Sequence, residues 1–177
     1  MVTIHNQFLK PVGTENQDSF LVQPLSDSRY AIAVADGLGG EPNGVFFSQN
    51  LIRMFQHKHR VIDKALMLIT ETQNETIVEQ VMELFNSLIR RLVERIADKY
   101  GSSMRGGTTL ALAWEVAEGR FVTYSIGDSE IMVSSAQTQS PWIVHDLDLT
   151  HPGSNQLTNV VNMRFQSATQ EPKIIST

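Results

Sequence analysis

The 177-residue sequence contains no cysteine. Disulfides, thiolate metal sites and a cysteine nucleophile are therefore excluded, while the compartment stays open. Long apolar runs are also missing: nothing approaches the roughly 20 residues of a membrane span, so no membrane association is expected. The start, MVTIHNQFLKPVG, has no charged segment followed by an apolar run, so no signal peptide is expected and a cytoplasmic location is the default. An excess of cations is lacking too. Lys and Arg number 14 against 19 Asp and Glu, giving a formal net charge of −5 and a pI near 5.5. Nucleic-acid binding depends on a cationic surface that displaces counterions, so no nucleic-acid partner is expected. Repeats and low-complexity segments are absent. What remains is ordinary globular material, 41% hydrophobic and 19% charged, of a length that fits one domain over residues 1–177.

The pattern along the chain changes twice. Phe20, Val22 and Leu25 follow a turn-rich GTENQDS stretch, and Arg29 to Ala35 (RYAIAVA) is a short apolar run that stops at Asp36-Gly37. Both read as strands. The middle reads as helix. Val45 to Gln56 has a broad apolar face, and Val61 to Ile69 continues that helix or starts another. In Thr76 to Tyr100, Ile77, Val81, Phe85, Leu88, Leu92 and Ile96 recur every three or four residues. Asn74 or Thr76 is expected to cap this helix and Gly101 to end it. Strands return over Thr108 to Val116, Arg120 to Ile126, Glu130 to Ser134 and Trp142 to Leu147, with a hairpin turn at Glu118-Gly119 and a further strand starting at Pro172. Strands, two long helical segments and then antiparallel hairpins predict an α+β layered sandwich, not a repeating βαβ fold.

Three carboxylates stand at strand ends. Asp36 is followed by Gly37, Gly39 and Gly40, which leave the backbone open to a ligand. A carboxylate beside open backbone suits a hard cation, because magnesium and manganese favour oxygen ligands. A plain glycine turn capped by aspartate uses the same residues. Asp18 alone is a loop carboxylate, and paired with Asp36 across adjacent strands it becomes half of a metal site. Asp128, after Gly127, also suits a tight turn. Gly106-Gly107-Thr108-Thr109 suits a phosphate cradle or a close-packed strand start, and the strand start is preferred since no Walker-type lysine accompanies it. His57 and His59 lie two apart, which does not put them on one helix face, so a histidine zinc site is weak. No G-x-S-x-G nucleophile elbow is present.

Four segments, ENQDSF, VADGLGG, GGTTL and IGDSE, occur in an order that resembles the metal-dependent protein phosphatases of type 2C, especially bacterial members. The resemblance covers Val12 to about Leu149. It implies a four-layer αββα sandwich of two antiparallel sheets flanked by helices. It also implies a serine/threonine phosphatase that uses two Mn2+ or Mg2+ ions to activate water, without a phosphoenzyme. Asp36 would bridge the two ions, the Gly37 carbonyl would bind one, Asp18 would ligate directly or through water, and Asp128 would sit near a third, weaker site. Asp36 and Asp18 are thus the implied catalytic residues. The implied partner is a phosphoprotein, itself a kinase target, and the implied state is a monomer.

The sequence departs from the family pattern in places. Gly13 stands where many members have a phosphate-gripping arginine, and Lys10, the nearest cation, is a poorer bidentate clamp. Glu130 follows Ser129 where the hairpin usually ends in arginine, and Leu149-Thr150-His151 lacks the aspartate of the L-T-x-D-H element. The family carries two further aspartates near its C-terminus, whereas no aspartate follows Asp148 here. The chain is therefore expected to be incomplete at the C-terminus or a degenerate member. The alternative function is an inactive, phosphatase-like binding or regulatory domain.

Overall fold

The computed structural model describes residues 16–72, 75–133, 142–145, 159–168 and 170–176. The element order is β1 (Ser19–Pro24), a short 3-10 turn (Ser26–Ser28), β2 (Tyr30–Ala35), α1 (Gly44–Glu71), α2 (Ile77–Tyr100), β3 (Gly107–Thr108), β4 (Leu110–Ala117), β5 (Arg120–Ile126), β6 (Ile131–Val133), β7 (Trp142–His145), β8 (Val161–Asn162) and β9 (Lys173–Ser176). Five strands form the main sheet in the order β1-β2-β4-β5-β9, and every pairing in it is antiparallel. Two smaller antiparallel pairs, β3-β8 and β6-β7, accompany it. The α+β class with antiparallel sheets is as expected. The four-layer sandwich is not seen as such: among the described residues there are one layer of two helices, one five-stranded sheet and two two-stranded pieces.

Alternation along the strands decides which face is covered. Ala31, Ala33 and Ala35 of β2 are buried, while Val34 between them is 42% exposed. The register pairs Leu21 with Ala33, so Leu21 is buried on the same face and Phe20 turns the other way, 43% exposed. Neighbouring strands continue the inner face with Leu110, Leu112 and Trp114 of β4 and Val122, Tyr124 and Ile126 of β5, all fully buried.

The helices supply the other half of this core. α1 runs unbroken for 28 residues, because no glycine or proline interrupts Val45 to Glu71. The two expected segments are therefore one helix, which buries Phe47, Leu51, Phe55, Ile62 and Leu66. α2 buries Val81, Phe85, Ile89, Leu92, Val93 and Ile96, while Ile77 and Leu88 are only partly buried at the edge. Phe85 stacks edge-on to Phe55 at 6.1 Å and tilts against Tyr124 at 4.9 Å, joining both helices to the sheet. Thr76 occupies the N-cap position of α2 but makes no capping bond; its hydroxyl accepts from Gln80 Nε2 at 2.8 Å. Asn74, the other expected cap, lies outside the described residues. Gly101 ends α2 with φ +88°, which favours glycine.

One buried ion pair pins α1 to the sheet. Arg29 donates to both carboxylate oxygens of Asp63, at 2.9 and 3.0 Å, and to the Glu115 carbonyl at 2.9 Å. Trp114 Nε1 also donates to Asp63, at 3.1 Å. A fork-on-fork pair with its remaining groups bonded is the form in which burial of charge is tolerated. Gly119 turns the β4–β5 hairpin with φ +66°, as the Glu118-Gly119 pair predicts.

Candidate active site

The sheet register builds the site. Ser19 faces Ala35 at the last rung of the β1–β2 ladder, so Asp18 and Asp36 stand opposite each other one residue beyond it. Across β2–β4, Val34 faces Ala111, and two residues further Asp36 meets Thr109. Thr109 N donates to the Asp36 carbonyl at 2.8 Å, and Asp36 N donates to Thr109 Oγ1 at 3.1 Å. Thr108 Oγ1 adds a third bond, donated to the Asp36 carbonyl at 2.9 Å. Leu110 faces Ile126 at the end of β4–β5, which sets the Gly127-Asp128 turn beside Thr109. Gly127 has φ +89°, and a Cβ there would meet Thr109 Cγ2 at 2.8 Å, so the turn accepts glycine alone. Thr109 Oγ1 also hydrogen-bonds Ser129 Oγ at 2.8 Å. Asp18, Asp36, Thr109 and the Asp128 turn thus line one end of four adjacent strands.

The backbone after Asp36 is held with equal care. A Cβ on Gly37 would lie 2.6 Å from the Gly44 carbonyl carbon and 2.8 Å from the Gln17 carbonyl oxygen. Only glycine lets the first turn of α1 approach the sheet end this closely. Gly37 N donates to the Gln17 carbonyl at 3.3 Å, and Leu38 N donates to the Gly107 carbonyl at 3.0 Å. Ser48 Oγ donates to the same Gln17 carbonyl at 2.6 Å. With its amide nitrogen turned toward the loop, the orientation that satisfies both groups, Gln17 donates to the Gly37 carbonyl at 3.1 Å and the Leu38 carbonyl at 2.9 Å. The Gly37 carbonyl therefore keeps one lone pair for a further partner.

Electrostatics single out Asp36. Its pKa is raised from the ordinary 3.8 to about 6, first by partial burial, then by a hydrogen bond with the Asp18 carboxyl, then by the charges of Asp18 and Asp128. Two carboxylates can share a hydrogen bond only through a proton, so the pair resists full ionisation. Among the described residues no salt bridge neutralises Asp18, Asp36 or Asp128. A divalent cation with a preference for oxygen ligands can replace that proton, and the donor types present fit it. The fit is a paired one: among the described residues no three His, Asp or Glu side chains form a metal-binding group. Asp128 acts on Asp36 through its charge. One groove lies between α1 and the turn at Pro24, Leu25 and Ser26 and another between α1 and α2, and neither is lined by Asp18, Asp36 or Asp128.

Thr109, Gln17 and Ser48 were not singled out from the sequence as site residues. The Gly106 to Thr109 segment reads as a strand start and is one, with Gly107 and Thr108 paired to Asn162 and Val161. Its second role, holding the Asp36 backbone, depends on register and has no local signature.

Residues 10–171 match the family model described as Protein phosphatase 2C, and the chain belongs to that family. No curated protein matches it in sequence. Its fold is similar to that of a bacterial serine phosphatase, with a TM-score of 0.62 and 16% identity over 92% of this chain and 67% of that one. It is also similar to the serine/threonine phosphatase Stp1 from Staphylococcus aureus, with a TM-score of 0.64 and 16% identity over 92% and 65%. A third similar structure is the PPM Ser-Thr phosphatase MsPP from Mycobacterium smegmatis in complex with cacodylate, with a TM-score of 0.55 and 19% identity over 94% and 68%. The chain spans about two thirds of the length of these structures. At such identities the likeness establishes the fold alone. No helix among the described residues is long and apolar enough to cross a membrane.

Proposed function

We propose that this chain carries the metal-binding half of a Mn2+- or Mg2+-dependent serine/threonine phosphatase acting on phosphoproteins. Family membership supports the reaction class. The observation that carries the site is the facing Asp18–Asp36 pair, in which burial first and Asp18 second raise Asp36 to a pKa of about 6, with no cationic side chain bridged to it among the described residues. Asp36, Asp18 and the free lone pair of the Gly37 carbonyl would hold the ions, with Asp128 attending a further, weaker site. Two such ions, when bound, supply the Lewis acidity that activates water for attack on phosphorus and offset charge on the phosphoryl oxygens.

The chain's own residues prepare this. Asp36 gives up the proton it shares with Asp18, and both its oxygens become available as ligands. Thr108 and Thr109 fix the backbone beneath it, so the carboxylate is aimed without a conformational search. Gln17 orients the Gly37 carbonyl, and the Thr109–Ser129 bond holds the turn that bears Asp128.

Beyond Asp148 the sequence holds one acidic residue, Glu171. Low turnover is therefore expected from the 177-residue chain. A second reading, a phosphatase-like domain that binds a phosphoprotein without turnover, is favoured by the same paired donor set. Phosphate release from a phosphothreonine peptide separates the two. Slow, manganese-dependent release that stops with chelator and in Asp36→Asn supports catalysis. Peptide binding with no release supports the second reading, and release unaffected by chelator contradicts both.

A further inference from the structure

The outer surface of the helix layer carries a groove unconnected with the aspartate row. Asn50, Arg53, His57 and Lys58 of α1 face Arg95 and Lys99 of α2 across about 390 Å³ of open space. Helical spacing explains the alignment, because residues three, four or seven apart share a face. Four permanent cations and one histidine therefore line a single groove, and no Asp or Glu lines it. In a chain with a net charge of −5 this is a local reversal of sign. Glu94 and Asp98 are exposed on the same helix and contribute nothing to the lining.

The cations are also uncommitted. Arg29, Arg90 and Arg105 are each paired with a carboxylate, whereas Arg53, Lys58, Arg95 and Lys99 have no ion pair among the described residues. Arg95 Nε donates to the Arg91 carbonyl of its own helix, and Lys99 lies 4.9 Å from the Tyr100 ring. Beneath them the floor is apolar. Met54, Leu92 and Ile96 are buried there, and Phe46 meets Tyr100 edge-on at 5.2 Å, with Tyr100 itself 51% exposed.

We propose that this groove docks an acidic segment of a protein partner, with carboxylates on Arg53, Lys58, Arg95 and Lys99 and an apolar side chain on the recessed floor. Charge complementarity selects an anionic occupant, and the recess selects its kind. Met54, Leu92 and Ile96, sunk between the two helices, cannot insert into a bilayer, which requires apolar side chains to protrude. A nucleic acid extends beyond the groove and meets the net negative remainder of the molecule, whereas a short acidic segment touches the cationic strip alone. Each exposed ion pair contributes little, so several must act together, and binding must weaken as salt screens them.

The test uses the full 177-residue chain and a fluorescein-labelled peptide of Glu interspersed with Leu and Phe, followed by anisotropy. Binding is expected to fall with added salt and to drop roughly tenfold or more in the double variant Arg53→Glu/Arg95→Glu, as for loss of close charge pairs at interfaces. The pair Lys58→Glu/Lys99→Glu should act alike, and both variants should keep the wild-type melting temperature, since all four side chains are exposed. A peptide with Lys in place of Glu should not bind. Equal binding by the charge-reversed variants overturns the docking site. Tighter binding of oligo-dT or of phosphatidylserine vesicles than of the peptide, lost in the same variants, overturns the protein partner.

Discussion

Asp36 is the residue on which the site turns, and its proton makes the first prediction. The folded chain holds that proton up to about pH 6, whereas an unfolded chain releases it near 3.8. Between those values the folded state binds more protons, so stability from this group is full below about pH 4 and is lost as pH rises through about 6. In metal-free buffer, Asp36→Asn should therefore melt above the wild type at pH 7, and the gap should close below about pH 4. Manganese should reverse the order at pH 7, because a ligand that binds the native state stabilises it and the asparagine variant cannot bind well. Melting curves at three pH values, with and without manganese, check this; a variant less stable than wild type in metal-free buffer at pH 7 would show that the pair is not repulsive. Nothing about Asp36 alone reveals this behaviour in the sequence. Aspartate before glycine is ordinary turn material, and the shift arises first from burial in the folded chain and then from Asp18, 18 positions away in the sequence.

At the scale of elements, periodicity was a good guide where packing follows it. The α2 stripe of Val81, Phe85, Leu92 and Ile96 is buried as its spacing predicts, and Arg120–Ile126 is a strand with those bounds. Leu88 yields its inward place to Ile89, because the stripe drifts around a helix of 3.6 residues per turn over 24 residues. The cap failed for a different reason: the Thr76 hydroxyl is engaged by Gln80, which only side-chain geometry shows. Phe85→Ala should cost about 3–5 kcal/mol, seen as a lower denaturant midpoint, because it empties a fully buried site between both helices and the sheet. Asp63→Ala should cost about 3–5 kcal/mol as well, by leaving Arg29 buried without its partner. An unmoved midpoint for Asp63→Ala would mean that water reaches Arg29.

At the scale of the whole molecule, the site is a product of three strand ladders that end together. Asp18, Asp36 and Asp128 lie on β1, β2 and β5 flanks, and only the register of β1–β2, β2–β4 and β4–β5 sets them along one edge. The four segments that resemble the family mark those ends in the sequence, so the carboxylates were legible. Their supports, Gln17, Ser48 and Thr109, were not, because they act through contacts spanning 20 to 73 positions. The second full sheet expected from the resemblance does not appear among the described residues, where β6–β7 and β3–β8 are short separate pairs. The aspartate pair itself is the central claim, and calorimetric titration of the 177-residue chain with manganese at pH 7 tests it most directly. Binding that is present in the wild type and absent from Asp36→Asn, with both proteins folded by circular dichroism, is the predicted result. Manganese binding of equal affinity and stoichiometry in Asp36→Asn would contradict it.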